Sequence, residues 1–156
     1  MDFDREKLKE VKDSPCELEK LIISKDEDLL CYLKSFRHKN ENIDIGKKGY
    51  DVGIYTVGLS PYTILLSLSV TQPKEKAIFY YTEKSLRYKP VFEIFSTTFD
   101  MKIQLIHEVM KSSLDTAEMY NCMEKAIKEN KNKKIAIDIT GGKKPTIAAG
   151  FLGASL

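Results

Sequence analysis

Tryptophan is absent from the 156 residues, and cysteine and histidine are scarce. Cys16, Cys31 and Cys122 are odd in number, widely spaced and form no Cys-x-x-Cys pair, while His38 and His107 stand far apart. No disulfide framework or zinc site can be drawn from them, so no metal ligands are expected. Long apolar runs are also missing, and Met1-Asp2-Phe3-Asp4-Arg5-Glu6-Lys7 lacks the apolar core of a signal peptide. A reducing cytoplasm, away from membranes, is the expected compartment. Charge of one sign is not in excess either: 25 Lys and Arg against 23 Asp and Glu leave a net +2. Direct binding of duplex nucleic acid is therefore not expected, and any anion binding must be local. Neither Gly-x-x-x-x-Gly-Lys-Ser/Thr nor Gly-x-Gly-x-x-Gly occurs, which removes the usual signatures of nucleoside triphosphate hydrolysis and NAD chemistry. No cofactor is expected.

What the chain does carry is concentrated in Ile135-Ala136-Ile137-Asp138-Ile139-Thr140-Gly141-Gly142-Lys143-Lys144-Pro145-Thr146. A strand of buried type runs into two glycines, two lysines and a helix start. Glycines without Cβ let backbone N–H groups approach a ligand closely, and a following helix begins with unpaired N–H donors and a partial positive charge. Lys143 and Lys144 add full charges, and Pro145 suits the first helical position. A glycine pair alone would be read as a structural turn. The whole combination points to a phosphorylated ligand.

From Asp51 onward strands and helices alternate. Residues 51–57 read as a strand ending in Gly58-Leu59-Ser60-Pro61, where Ser60 can cap a helix that Pro61 begins and Gln72-Pro73 stops. A strand over 76–82, a helix from Ser85 to about Thr98 with Pro90 near its start, a strand over 102–109 and a helix from about Leu114 to Asn130 follow. The fourth strand ends at the glycine motif. This alternation predicts an α/β, Rossmann-like, mostly parallel sheet with helices on both faces. Residues 1–50 are highly charged and helix-prone, with Leu18, Leu21, Ile22, Leu29, Leu30, Tyr32 and Leu33 marking amphipathic stretches. They read as a helical extension with a solvated charged face, and 37–42 as a loop leading to the sheet. Residues 51–156 read as the ligand-binding domain. The apolar tail 151–156 is expected to pack on the sheet or continue into a segment absent from this chain, as in a domain truncated at its C-terminal end.

In parallel sheets ligands settle beyond the carboxyl ends of the strands. The loops expected there hold Gly58, Ser60 and Pro61, then Thr82 and Ser85, then Thr140, Gly141, Gly142, Lys143 and Lys144. Hydroxyls, glycines and lysines donate to phosphate oxygens and ribose, and no carboxylate pair or nucleophile–His pair stands among them. Tyr55, Tyr80, Tyr81 and Tyr88 read as core or sheet-surface residues and receive no functional role.

These residues resemble the CRISPR-associated Rossmann-fold (CARF) sensor family. Val57-Gly58-Leu59-Ser60-Pro61 looks like the family's first loop, and Asp138-Ile139-Thr140-Gly141-Gly142-Lys143-Lys144-Pro145 is similar to its loop after the fourth strand, the more specific of the two. The resemblance covers about residues 51–156. It implies a homodimer that binds a cyclic oligoadenylate, such as cyclic tetra-adenylate, across its twofold axis and regulates an attached effector. Some members cleave their ligand without a metal; Ser60, Lys143 and Lys144 would then serve as catalytic residues. Binding alone, a mononucleotide-binding metabolic protein using the same crevice, and an interaction module with a purely structural turn stay open as alternatives. The helical first fifty residues, and the lack of closing strands and effector after Leu156, depart from the family pattern.

Overall fold

A computed structural model describes residues 14–41, 49–111 and 115–141. The chain enters as two helices, α1 (Pro15–Ile23) and α2 (Glu27–Glu41), and then alternates through β1 (Val52–Val57), α3 (Pro61–Thr71), β2 (Lys76–Tyr81), α4 (Lys89–Thr98), β3 (Gln104–Val109), α5 (Thr116–Glu129) and β4 (Ile135–Asp138). The four strands form one sheet in the order β3-β2-β1-β4, every pair parallel. The architecture is Rossmann-like α/β.

Strand β1 is buried along its whole length and β2 along nearly all of it, which explains their continuous apolar runs. Alternate residues divide between two cores. Tyr55, Val57, Ala77, Phe79 and Tyr81 face α3 and α4, while Val52, Ile54, Ile78 and Tyr80 face Met119, Met123 and Ala126 of α5. Helices on opposite faces follow from the strand order. The chain moves from β1 to β2 to β3 in one direction, then crosses back past β1 to β4, and right-handed crossovers place the returning α5 on the other side.

The two N-terminal helices belong to the first of these cores. Helix α1 packs against α4 and α2 against α3. Leu18, Ile22, Leu29 and Leu33 are buried in the cluster that contains Tyr55 and Phe79. Each such side chain stabilises the fold by about 1.5–3 kcal/mol relative to exposure. Ser14 caps α1 through the Glu17 amide, and Asp26 accepts from the amides of Asp28 and Leu29 at the start of α2. The expected loop over 37–42 is instead helical through Glu41. His38 and Lys39 in the last turn of α2 complement the helix dipole, so their polarity is no barrier to helix. The helix expected from Ser85 is also shorter: a 3₁₀ turn, Leu86–Tyr88, precedes α4, whose Pro90 sits in its first turn where no backbone donor is lost.

Gly53 stands inside the central strand because Tyr55, two residues on and on the same face, leans over it. A Cβ on Gly53 would meet the Tyr55 hydroxyl at 2.2 Å. The Tyr55 hydroxyl lies 2.6 Å from Thr71 Oγ1, which itself donates to the Ser67 carbonyl. Thr71 has one proton, so Tyr55 donates and Thr71 accepts. At the β3 edge, His107 stacks on Phe79, and its Nδ1 lies 2.7 Å from the Tyr81 hydroxyl. With Tyr81 donating there, the neutral ring carries its proton on Nε2, which is buried 3.6 Å from Glu93 Oε1. Burial lowers the His107 pKa from the usual 6.5; Glu93 opposes that shift and Lys89 adds to it.

Two outcomes are expected. Gly53→Ala should destabilise the domain by about 1–3 kcal/mol, because the closed core gives Tyr55 no room to retreat; chemical denaturation will read this. Because the folded state holds His107 neutral, the unfolded chain takes up the proton first as pH falls below about 6.5. Stability should therefore fall from pH 7 toward pH 5, and His107→Gln should flatten that dependence in urea midpoints.

Candidate functional site

Strand β1 lies at the topological switch point, with β2 on one side and β4 on the other, and the connections leaving β1 and entering β4 run on opposite faces. Crevices at such points are where open α/β sheets bind ligands. Two loops meet at this one. A Cβ on Gly58, just after β1, would stand 1.7 Å from the Gly141 carbonyl oxygen, and one on Gly141 would stand 2.0 Å from the Thr56 carbonyl oxygen. Neither glycine has a positive φ, so space alone excludes a side chain.

The turn after β4 is held by its own sequence. Asp138 is buried, and its Oδ1 accepts from the Thr140 amide at 2.7 Å and the Thr140 hydroxyl at 2.6 Å. Thr56 Oγ1, also buried, donates to the Asp138 carbonyl at 3.2 Å. Asp-x-Thr is thus a turn-former in which the carboxylate is spent on local donors. Thr140 is exposed and Gly141 half-buried, and the chain continues from there into Gly142, Lys143 and Lys144, which lie outside the described residues with Pro145.

The remaining expected residues divide into two groups. Gly58, Ser60 and Pro61 share the loop over β1. Pro61 is buried in the first turn of α3, and Ser60 holds the N-cap position without a side-chain capping bond, its carbonyl accepting from Thr63 instead. Thr82 and Ser85 lie beyond β2 and bond to one another. Ser85 is fully buried, and its hydroxyl accepts from the Thr82 amide at 2.9 Å. The pair shapes its own loop.

Two residues given no functional role by the sequence join these loops. The Tyr88 hydroxyl donates to the Leu59 carbonyl at 2.9 Å and accepts from Arg87 Nη2 at 2.7 Å, while the Arg87 guanidinium lies 4.8 Å from the Tyr88 ring centre. Nothing in the spacing announced this, because Tyr88 is apolar in pattern and the contact spans 29 residues. The Asp138 role, by contrast, could have been read from Asp-x-Thr at a strand end. Leu59, Leu86 and Val109, large apolar side chains at the carboxyl ends of β1, β2 and β3, are all exposed.

A groove of about 560 Å³ runs between α3 and β4 and reaches Asp138, Ile139 and Thr140. Leu66, Val70, Ile135 and Ile137 make its walls largely apolar. A second groove, of about 540 Å³, lies among α2, α3 and the segment before β3, at the amino ends of the strands and remote from the glycine motif. Strand topology favours the carboxyl end as the functional one. No helix among the described residues is long and apolar enough to cross a membrane. No protein-family model matches the chain, and no curated protein matches its sequence.

Gly58→Ala must push the two loops apart, since its Cβ would collide with backbone rather than with a side chain that can rotate away. The expected loss is about 1–3 kcal/mol. Amide exchange should accelerate at Thr140 and Gly141, while the β2–β3 ladder keeps its protection.

Proposed function

We propose that the chain is a sensor domain of the CARF type. It binds a cyclic oligoadenylate, with cyclic tetra-adenylate the first candidate, at the carboxyl rim of the sheet in a type III CRISPR defence system, and so regulates an attached effector. The observation that carries this reading is the backbone contact between Gly58 and Gly141 at the switch point. It brings the two motifs behind the resemblance to one place, and the second continues directly into Gly142-Lys143-Lys144. A cyclic ligand with repeated phosphates suits a twofold receptor, each half presenting the same donors to equivalent groups. Exposed Leu59, Leu86 and Val109 at the same rim favour its being covered by a second copy and the ring between them. Ser60, whose side chain is not used in capping, stands where it can donate to a phosphate or orient a ribose hydroxyl.

Calorimetry with cyclic tetra- and hexa-adenylate, linear oligoadenylates, ATP and NAD tests the proposal. One ring per two chains is expected; one mononucleotide per chain would replace the sensor with a metabolic nucleotide-binding protein. Lys143→Ala/Lys144→Ala should weaken cyclic tetra-adenylate binding by about a hundredfold or more, as for loss of two charge-assisted contacts, with an unchanged melting temperature. Unchanged affinity would overturn the assignment. Incubation of the wild type with cyclic tetra-adenylate, followed by chromatography for linear products, separates a receptor from a ring nuclease.

A further inference from the structure

We infer that Arg87 is a second anion contact of this site, on the opposite side of the first loop from the glycine turn, and that Tyr88 is its positioning residue. The inference rests on the anion-binding reading above.

Arg87 is exposed, yet it is held. Nη2 donates to the Tyr88 hydroxyl at 2.7 Å, and the guanidinium lies over the Tyr88 ring. Tyr88 cannot yield, because its ring is fully buried and its hydroxyl proton is committed to the Leu59 carbonyl at 2.9 Å. The cation is thus anchored to the loop that carries Gly58 and Ser60 and ends in the first turn of α3. No carboxylate among the described residues pairs with it, although Glu83 is exposed on the same connection. Four of its five N–H donors remain for a ligand.

An exposed arginine normally samples many rotamers, and ordering it on binding opposes affinity. Here that ordering is largely done by the protein. A guanidinium fixed in this way is matched to the paired oxygens of a phosphodiester, which a fork of N–H donors can engage bidentately. Gly58 lies between the Gly141 backbone on one side and Leu59, through which Arg87 is tethered, on the other. The ligand class this favours carries a phosphodiester, whose two free oxygens the fork can engage together.

The test is calorimetric titration of the full chain with cyclic tetra-adenylate and, separately, AMP. Arg87→Ala should weaken cyclic tetra-adenylate about tenfold to a hundredfold, as for loss of one charge-assisted contact, without a change in melting temperature. Arg87→Lys should recover only part of that loss, because an ammonium lacks the fork and the stacking. Tyr88→Phe should weaken binding several-fold alone and add little to Arg87→Ala, the signature of a residue acting through its neighbour. Wild-type affinity in Arg87→Ala, with binding lost in Lys143→Ala/Lys144→Ala, would overturn the Arg87 role and leave the sensor reading intact. Failure of the wild type to bind cyclic tetra-adenylate would overturn both.

Discussion

The backbone of Gly141 lies against Gly58 and the Thr56 carbonyl so closely that neither glycine can carry a side chain, and the remainder of the carboxyl rim is arranged around that approach. Thr56 donates to the carbonyl of Asp138, and Asp138 in turn folds the chain over itself through Thr140. The first loop is tied from its other side by Tyr88 through Leu59. A short stretch of main chain at the end of β1 is therefore fixed from both neighbouring strands. Such fixing from two sides is what the proposed anion site would require, since donors must be in place before the charge arrives.

Buried tyrosines transmit that rigidity through the molecule. Tyr55 reaches from β1 to Thr71 at the end of α3, Tyr80 from β2 to the Cys122 carbonyl in α5, Tyr81 across to His107 on β3, and Tyr88 to the first loop. Each buries an aromatic body and spends its hydroxyl on a defined partner, so the sheet is joined to helices on both faces by polar struts as well as packing. Burial raises the pKa of Tyr55, Tyr80 and Tyr81, which keeps those hydroxyls protonated and able to donate.

The alternation of β-branched and aromatic runs with proline- and glycine-marked turns made the parallel sheet and the order of its elements legible, and the helical character of residues 14–36 was equally plain. Helix ends were harder. The last turn of α2 is made of polar residues that show no apolar periodicity, and the 3₁₀ turn before α4, in which only Tyr88 is buried, is too short to show any. At the site, Gly141 and Gly142 stood out only through their company, an apolar strand, Asp-x-Thr, two lysines and a proline, since glycines alone are ordinary turn residues. Ser85 looked the same in sequence as Ser60, yet one hydroxyl is buried in its own loop and the other makes no capping bond. Composition cannot separate two serines that differ only in which neighbours they find. Arg87 was invisible for the converse reason: its significance lies in a tyrosine whose partner is 29 residues away.

The strand order β3-β2-β1-β4 has a bearing on biosynthesis. As the chain emerges from the ribosome, β1, β2 and β3 can align in succession, but the flank of β1 that receives β4 stays vacant until residue 135 and beyond have been translated. During that interval an apolar strand displays unpaired amides and carbonyls, the kind of border that recruits stray β-segments. The nascent protein thus carries the open flank of its most deeply buried strand until the segment that completes the crevice at the switch point arrives, and from then on the free border is the shorter, half-buried β4.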